Sequence, residues 1–155
     1  MEKGVNFENN SGIFTAGKGN KELKLNNYQW QALLAVANYN TSKVENMLGM
    51  FYKTGYNAPN FELALREKFN TSNVVDMTGM FQEVGYKSSI FTLSLGDHFV
   101  TSKVVNFAGM FYKAGYSSSK YTLTLGDSFD TSNVNDMTRM FQNLSSLTSA
   151  YGLVL

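Results

Sequence analysis

Thr71-Ser-Asn-Val-Val-Asp-Met-Thr-Gly-Met-Phe81 has three near-copies in the chain, TSKVENMLGMF from Thr41, TSKVVNFAGMF from Thr101 and TSNVNDMTRMF from Thr131. The interval is 30 residues, with no insertion or deletion across the four copies. A strict period of that length is the mark of a stacked repeat array, in which each copy completes the core of its neighbour because no single copy can bury its own apolar wedge.

Within a copy, the first half has the signals of a short helix. Thr41 or Ser42 can serve as N-cap, and Val44, Met47, Met50 and Phe51 form an apolar stripe. Gly55 stands where a left-handed residue ends a helix, with Tyr56 behind it to pack back, and the pair returns at Gly85-Tyr86 and Gly115-Tyr116. Helices are therefore predicted over about 43–54, 73–84, 103–114 and 133–144. Gly49, Gly79 and Gly109 would let adjacent helices approach closely; Arg139 takes that place in the fourth copy.

The second half is a strand of constant form: Phe61-Glu-Leu-Ala-Leu65, Phe91-Thr-Leu-Ser-Leu95, Tyr121-Thr-Leu-Thr-Leu125 and Tyr151-Gly-Leu-Val-Leu155. Aromatic, Leu and Leu at alternate positions define one buried face. Strands separated by a helix pair in parallel, so the expected fold is an α/β solenoid with one parallel strand and one short helix per repeat. Residues 41–155 form its four copies. Residues 1–40 are a lead-in and cap, with Lys21–Leu25 as a candidate cap strand and Tyr28–Ala37 left between strand and helix.

A weaker period of 60 lies over the 30. Copies one and three carry Lys43, Asn46, Tyr52 and Lys103, Asn106, Tyr112; copies two and four carry Asn73, Asp76, Gln82 and Asn133, Asp136, Gln142. The alternation is expected to bring unlike charges together on adjacent turns, each exposed pair contributing roughly 0–1 kcal/mol.

The balance of 13 Lys and Arg against 12 Asp and Glu, with no basic block, argues against nucleic acid as a partner. Without cysteine there is no disulfide, thiolate metal site or cysteine nucleophile. No run of about 18 apolar residues is present to span a bilayer. Evenly repeated polar groups do not converge as a catalytic site requires, so the chain is expected to be neither an enzyme nor the carrier of a cofactor. His98 reads as a solvated turn residue, the methionines from Met47 to Met140 as core, and Asp97, Asp127 and Asp130 as turn residues, too few per turn for calcium.

The phrase TSNVxDMxxMF, followed by Gly-Tyr and an aromatic-x-Leu-x-Leu-Gly-Asp strand, resembles the repeat of the BspA-like leucine-rich-repeat surface proteins of bacteria. The resemblance implies a leucine-rich-repeat-like solenoid, at the cell surface or secreted, that acts in adhesion by binding a host or neighbouring-cell protein or glycan. This repeat is longer than the commonest family form, and no export signal precedes it, so the chain reads as a fragment. The candidate binding surface is the solvent face of the sheet, with Glu62, Arg66, Thr92, Ser94, Thr122 and Thr124 as contact residues. Tyr52 and Tyr112 are further aromatic candidates, whereas Tyr56, Tyr86 and Tyr116 read as packing groups. The alternative is a structural spacer that presents another domain or associates edge to edge through its last strand.

Overall fold

The computed structural model describes residues 41–65, 69–144 and 149–151. Residues 1–40, including both candidate cap elements, lie outside that set, as does Arg66.

Four strands, β1 (Asn60–Ala64), β2 (Ile90–Ser94), β3 (Lys120–Thr124) and β4 (Ser149–Tyr151), form one parallel sheet in chain order. Phe61 pairs with Phe91 and Phe91 with Tyr121, so the register advances by the 30 residues of the sequence period. We call each such length of chain a coil. Period-two alternation sets the faces: Phe61, Leu63, Phe91, Leu93, Tyr121 and Leu123 are buried, and the residues between them are exposed or half-exposed. The strands begin one residue before the predicted aromatic. β4 departs further, because Leu123 pairs with Ala150, an advance of 27 rather than 30.

The predicted helices are absent: among the described residues there is no helix, and the architecture there is all-β. In their place the chain runs through consecutive tight turns. Met50, Tyr52 and Thr54 donate to the carbonyls of Met47, Gly49 and Phe51, three residues back instead of four. The intervening amides point to the next coil, where Met47, Gly49, Phe51 and Lys53 donate to Asp76, Thr78, Met80 and Gln82 at 2.9–3.0 Å. The same ladder joins the second coil to the third and the third to the fourth. A helix cannot send alternate amides sideways, and this segment satisfies its backbone in two directions at once.

Those turns need left-handed residues. Gly49, Gly79 and Gly109 lie at φ of 64°, 59° and 63°, so they supply backbone freedom rather than helix contact. Gly55, Gly85 and Gly115 are left-handed as the sequence predicts, but inside a run of turns. Lys53, Glu83, Lys113, Arg139 and Asn143 adopt the same conformation with a side chain, at φ of 57–62°. The strain, about 1–2 kcal/mol per residue, is held at Lys53, Glu83 and Lys113 by their amide bonds to the following coil.

Equivalent residues stack into columns. Phe51, Phe81, Phe111 and Phe141 lie with ring centroids 5.2, 5.6 and 5.5 Å apart, and Phe61, Phe91 and Tyr121 at 5.2 and 4.6 Å. Phe69, Phe99 and Phe129 form a third column. Burial lifts the Tyr121 hydroxyl pKa well above the ordinary phenol range.

The threonines that open the first three copies are ladder rungs, not helix caps. Thr41 Oγ1 donates to the Asn70 carbonyl and accepts from the Asn70 amide, both at 2.8 Å. Thr71 donates likewise to Val100, and Thr101 donates to the carbonyl of Asp130 and accepts from its amide. Ser88 and Ser118 donate back to the carbonyls of Ala58 and Ser88, at 2.6 and 2.7 Å.

Candidate binding face

The sheet carries its outward side chains in two rows fixed by the register. Glu62, Thr92 and Thr122 pair in succession, as do Ala64, Ser94 and Thr124. Neighbouring strands are about 4.8 Å apart and alternate residues in one strand about 7 Å apart. Glu62 and Ala64 are exposed, while Thr92, Ser94, Thr122 and Thr124 are half-exposed. Five of the six predicted contact residues therefore share one surface. The arrangement is a shallow hydroxyl-bearing face with a carboxylate at one side, able to donate and accept hydrogen bonds across a broad polar partner.

Beyond the strand entrances gather the aromatic candidates Tyr52 and Tyr112 and the three tyrosines that the sequence reading set aside as packing groups. Tyr56, Tyr86 and Tyr116 stack at 4.8 and 4.9 Å with nearly parallel rings, and Tyr116 is 43% exposed. Lys53 Nζ lies 5.3 Å from the Tyr52 ring centroid and 5.5 Å from that of Tyr56; Lys87 lies 5.8 Å from Tyr56, and Lys113 lies 5.2 Å from Tyr112. Hydrogen bonds to Tyr52 and Tyr112 raise the pKa values of Lys53 and Lys113. Tyr52 and Tyr112 are thus half-buried partners of lysines, and the three residues read as packing groups form a partly open column. The signal was present in the 30-residue spacing of Gly-Tyr.

The alternating rows are specific. Lys103 Nζ donates to Asn73 Oδ1 at 2.8 Å, so the cation meets an amide rather than the expected carboxylate. Asn73 and Asn133 donate through Nδ2 to the Ser42 and Ser102 carbonyls, at 2.6 and 2.7 Å. Lys53 and Glu83 approach to 3.8 Å at the surface. Asn46, Asp76, Asn106 and Asp136 bridge in sequence, and each accepts an amide two residues on. Hydrogen bonds from Thr138 lower the Asp136 pKa, and those from Ser132 lower that of Asp130. Asp97 Oδ1 accepts from the Asp127 amide at 3.0 Å, and His98 is exposed. The described residues contain no group of three or more His, Cys, Asp or Glu placed to hold a metal ion.

Residues 21–152 match a family described as Mycoplasma protein of unknown function, DUF285. The chain belongs to that family. The DUF285 match takes in every described strand and begins inside the segment read as the lead-in. Comparisons with curated proteins and with solved structures gave no match. No helix among the described residues is long and apolar enough to cross a membrane.

Proposed function

We propose that this DUF285 chain is a non-enzymatic β-solenoid binding module, carried at the cell surface or secreted, that holds a protein or glycan partner against the solvent face of its sheet. The observation that carries the reading is the register of the two outward rows, which turns four hydroxyl side chains on β2 and β3 into one flat, weakly charged lattice. Such a surface suits many shared hydrogen bonds with a broad partner better than enclosure of a small molecule. The aromatic-x-Leu-x-Leu strands support kinship with the BspA-like repeats, with a run of turns where a helix was expected, and that kinship supports the surface location and the adhesive role.

Immobilised matrix proteins and glycans probed with the wild-type chain and with a Thr92→Arg/Thr122→Arg variant test the proposal. Binding is expected for the wild type and lost in the variant, whose outward substitutions leave the circular dichroism spectrum unchanged. Equal binding by both would refute the sheet face as the site. A second reading, a rigid spacer, is supported by the ring columns and backbone ladders that run from coil to coil. It expects no ligand in the same screen.

A further inference from the structure

We propose that the far edge of the fourth coil is a docking edge for one more coil, a parallel polypeptide segment of the Lys/Asn/Tyr type found in copies one and three.

The backbone of that edge is polarised. In the first three coils the amides at the ladder positions donate to the next coil; in the third these are Phe107, Gly109, Phe111 and Lys113, bonded to Asp136, Thr138, Met140 and Gln142 at 2.8–3.1 Å. The equivalents in the fourth are Met137, Arg139, Phe141 and Asn143, and among the described residues their amides have no acceptor. The Met137 and Arg139 carbonyls are taken by turn bonds from Met140 and Gln142, and those of Asp136, Thr138, Met140 and Gln142 by the third coil. The edge thus offers a row of donors. Two copies meeting head to head would oppose donor to donor, so an occupant must bring carbonyls at alternate residues, as a coil of this kind does.

The side chains agree. Met47, Met77 and Phe107 are fully buried, whereas Met137 in the same row is 42% exposed. Val134 and Phe141 are half-buried where their counterparts in the other coils are buried. A repeat built to end an array would carry polar groups there, yet the fourth coil keeps the apolar set for stacking.

Row identities then select the occupant. The row Asn46, Asp76, Asn106, Asp136 ends on a carboxylate, so a following Asn continues it and a following Asp opposes like charges about one strand spacing apart. The row Lys43, Asn73, Lys103, Asn133 ends on an Asn, and Lys103 shows how the next lysine reaches back onto that amide. The Tyr52, Gln82, Tyr112, Gln142 row ends on Gln, so its alternation continues with Tyr. The fitting segment has Lys, Asn and Tyr at these places.

Two labelled synthetic peptides, residues 101–118 for the fitting type and 71–88 for the other, titrated onto the full 155-residue chain, test the inference. The first is expected to bind and to slow amide hydrogen exchange at Met137, Arg139, Phe141 and Asn143. The second is expected to bind at least about ten-fold more weakly, as one opposed carboxylate pair implies. Asp136→Asn narrows the gap. Met137→Lys, at a site already open to water, abolishes binding while the melting temperature holds. Failure of the first peptide to bind, equal affinity for both, or protection at other amides overturns the proposal.

Discussion

Gly109→Ala separates the two conformations that this sequence can suggest, because they predict opposite signs. In the middle of a helix, alanine in place of glycine stabilises by about 1 kcal/mol. At the observed φ of +63° an L side chain enters the left-handed region at about 1–2 kcal/mol, partly offset by the ~0.4–1 kcal/mol gained from a stiffer unfolded chain. No steric term is added, since a Cβ there would meet Gln82 Oε1 and Tyr112 Cβ only at 3.8 Å. The net expectation is a loss of about 1 kcal/mol, or a fall of roughly 2–4 °C in Tm for a chain of this size.

Gly115→Ala adds the missing term. Its φ is +60°, and a Cβ would sit 2.7 Å from Phe91 Cγ and 2.8 Å from Tyr121 Cε2, two buried rings locked in a column. Overpacking of that kind adds about 1–3 kcal/mol. The combined loss is about 2–4 kcal/mol, a Tm lower by roughly 4–16 °C. Thermal melts and urea midpoints of the wild type and the two variants give the comparison. A Tm raised by Gly109→Ala, or a Gly115→Ala variant no less stable than Gly109→Ala, would refute the turn-and-column reasoning.

Truncating the middle of a ring column by Phe81→Ala should cost about 3–5 kcal/mol in urea unfolding, and Phe141→Ala clearly less, because Phe141 is only half-buried. Thr101→Val keeps the shape of a buried side chain but strands the Asp130 amide and carbonyl, so a loss of about 1–3 kcal/mol is expected while Thr101→Ser stays near wild type. Asn106→Asp puts a carboxylate between Asp76 and Asp136, making three in succession; the variant should lose about 1–3 kcal/mol at pH 7 and recover as added salt or acid removes the repulsion. Asp130 and Asp136 have folded pKa values below the unfolded value, so the stability they lend is present above pH ~4 and lost as pH falls through the folded values. Replacing both by Asn should flatten the acid side of the stability profile, read as Tm between pH 2 and 6.

β1, β2 and β3 were legible to within one residue because aromatic-x-Leu-x-Leu alternation has only one structural meaning, and their register followed from the period; β4 starts two residues before its predicted aromatic and pairs three residues out of that period. The turns were not legible because Val44, Met47 and Met50 recur every third residue, a spacing that a chain of tight turns shares with one helix face. Gly49 was the available clue, since a glycine at one place in three copies is a poor helix residue and a good left-handed one. The threonine rungs were hidden differently. A hydroxyl before an apolar run looks like an N-cap, and only the fold brings Thr41 to the backbone of Asn70. Of the face, the five described residues were found by alternation alone, whereas the tyrosine column needed the stacking of coils to set three isolated aromatics ring over ring.

Stacking at a fixed period sets each residue against its own kind, and whether that helps depends on its chemistry. Phenylalanine over phenylalanine buries area and stacks favourably, so the repeat holds at Phe51, Phe81, Phe111 and Phe141. Charge over like charge is unfavourable, and the repeat breaks at such rows: Asn alternates with Asp through position 136, Lys with Asn through 133, and Lys53, Glu83 and Lys113 change sign. Among the described residues Asp97 and Asp127 are an exposed exception, where water screens the pair and the Asp127 amide donates to the Asp97 carboxylate. The 60-residue period is thus the 30-residue period corrected for electrostatics, which is why it appears only at charged and polar rows and leaves the core untouched.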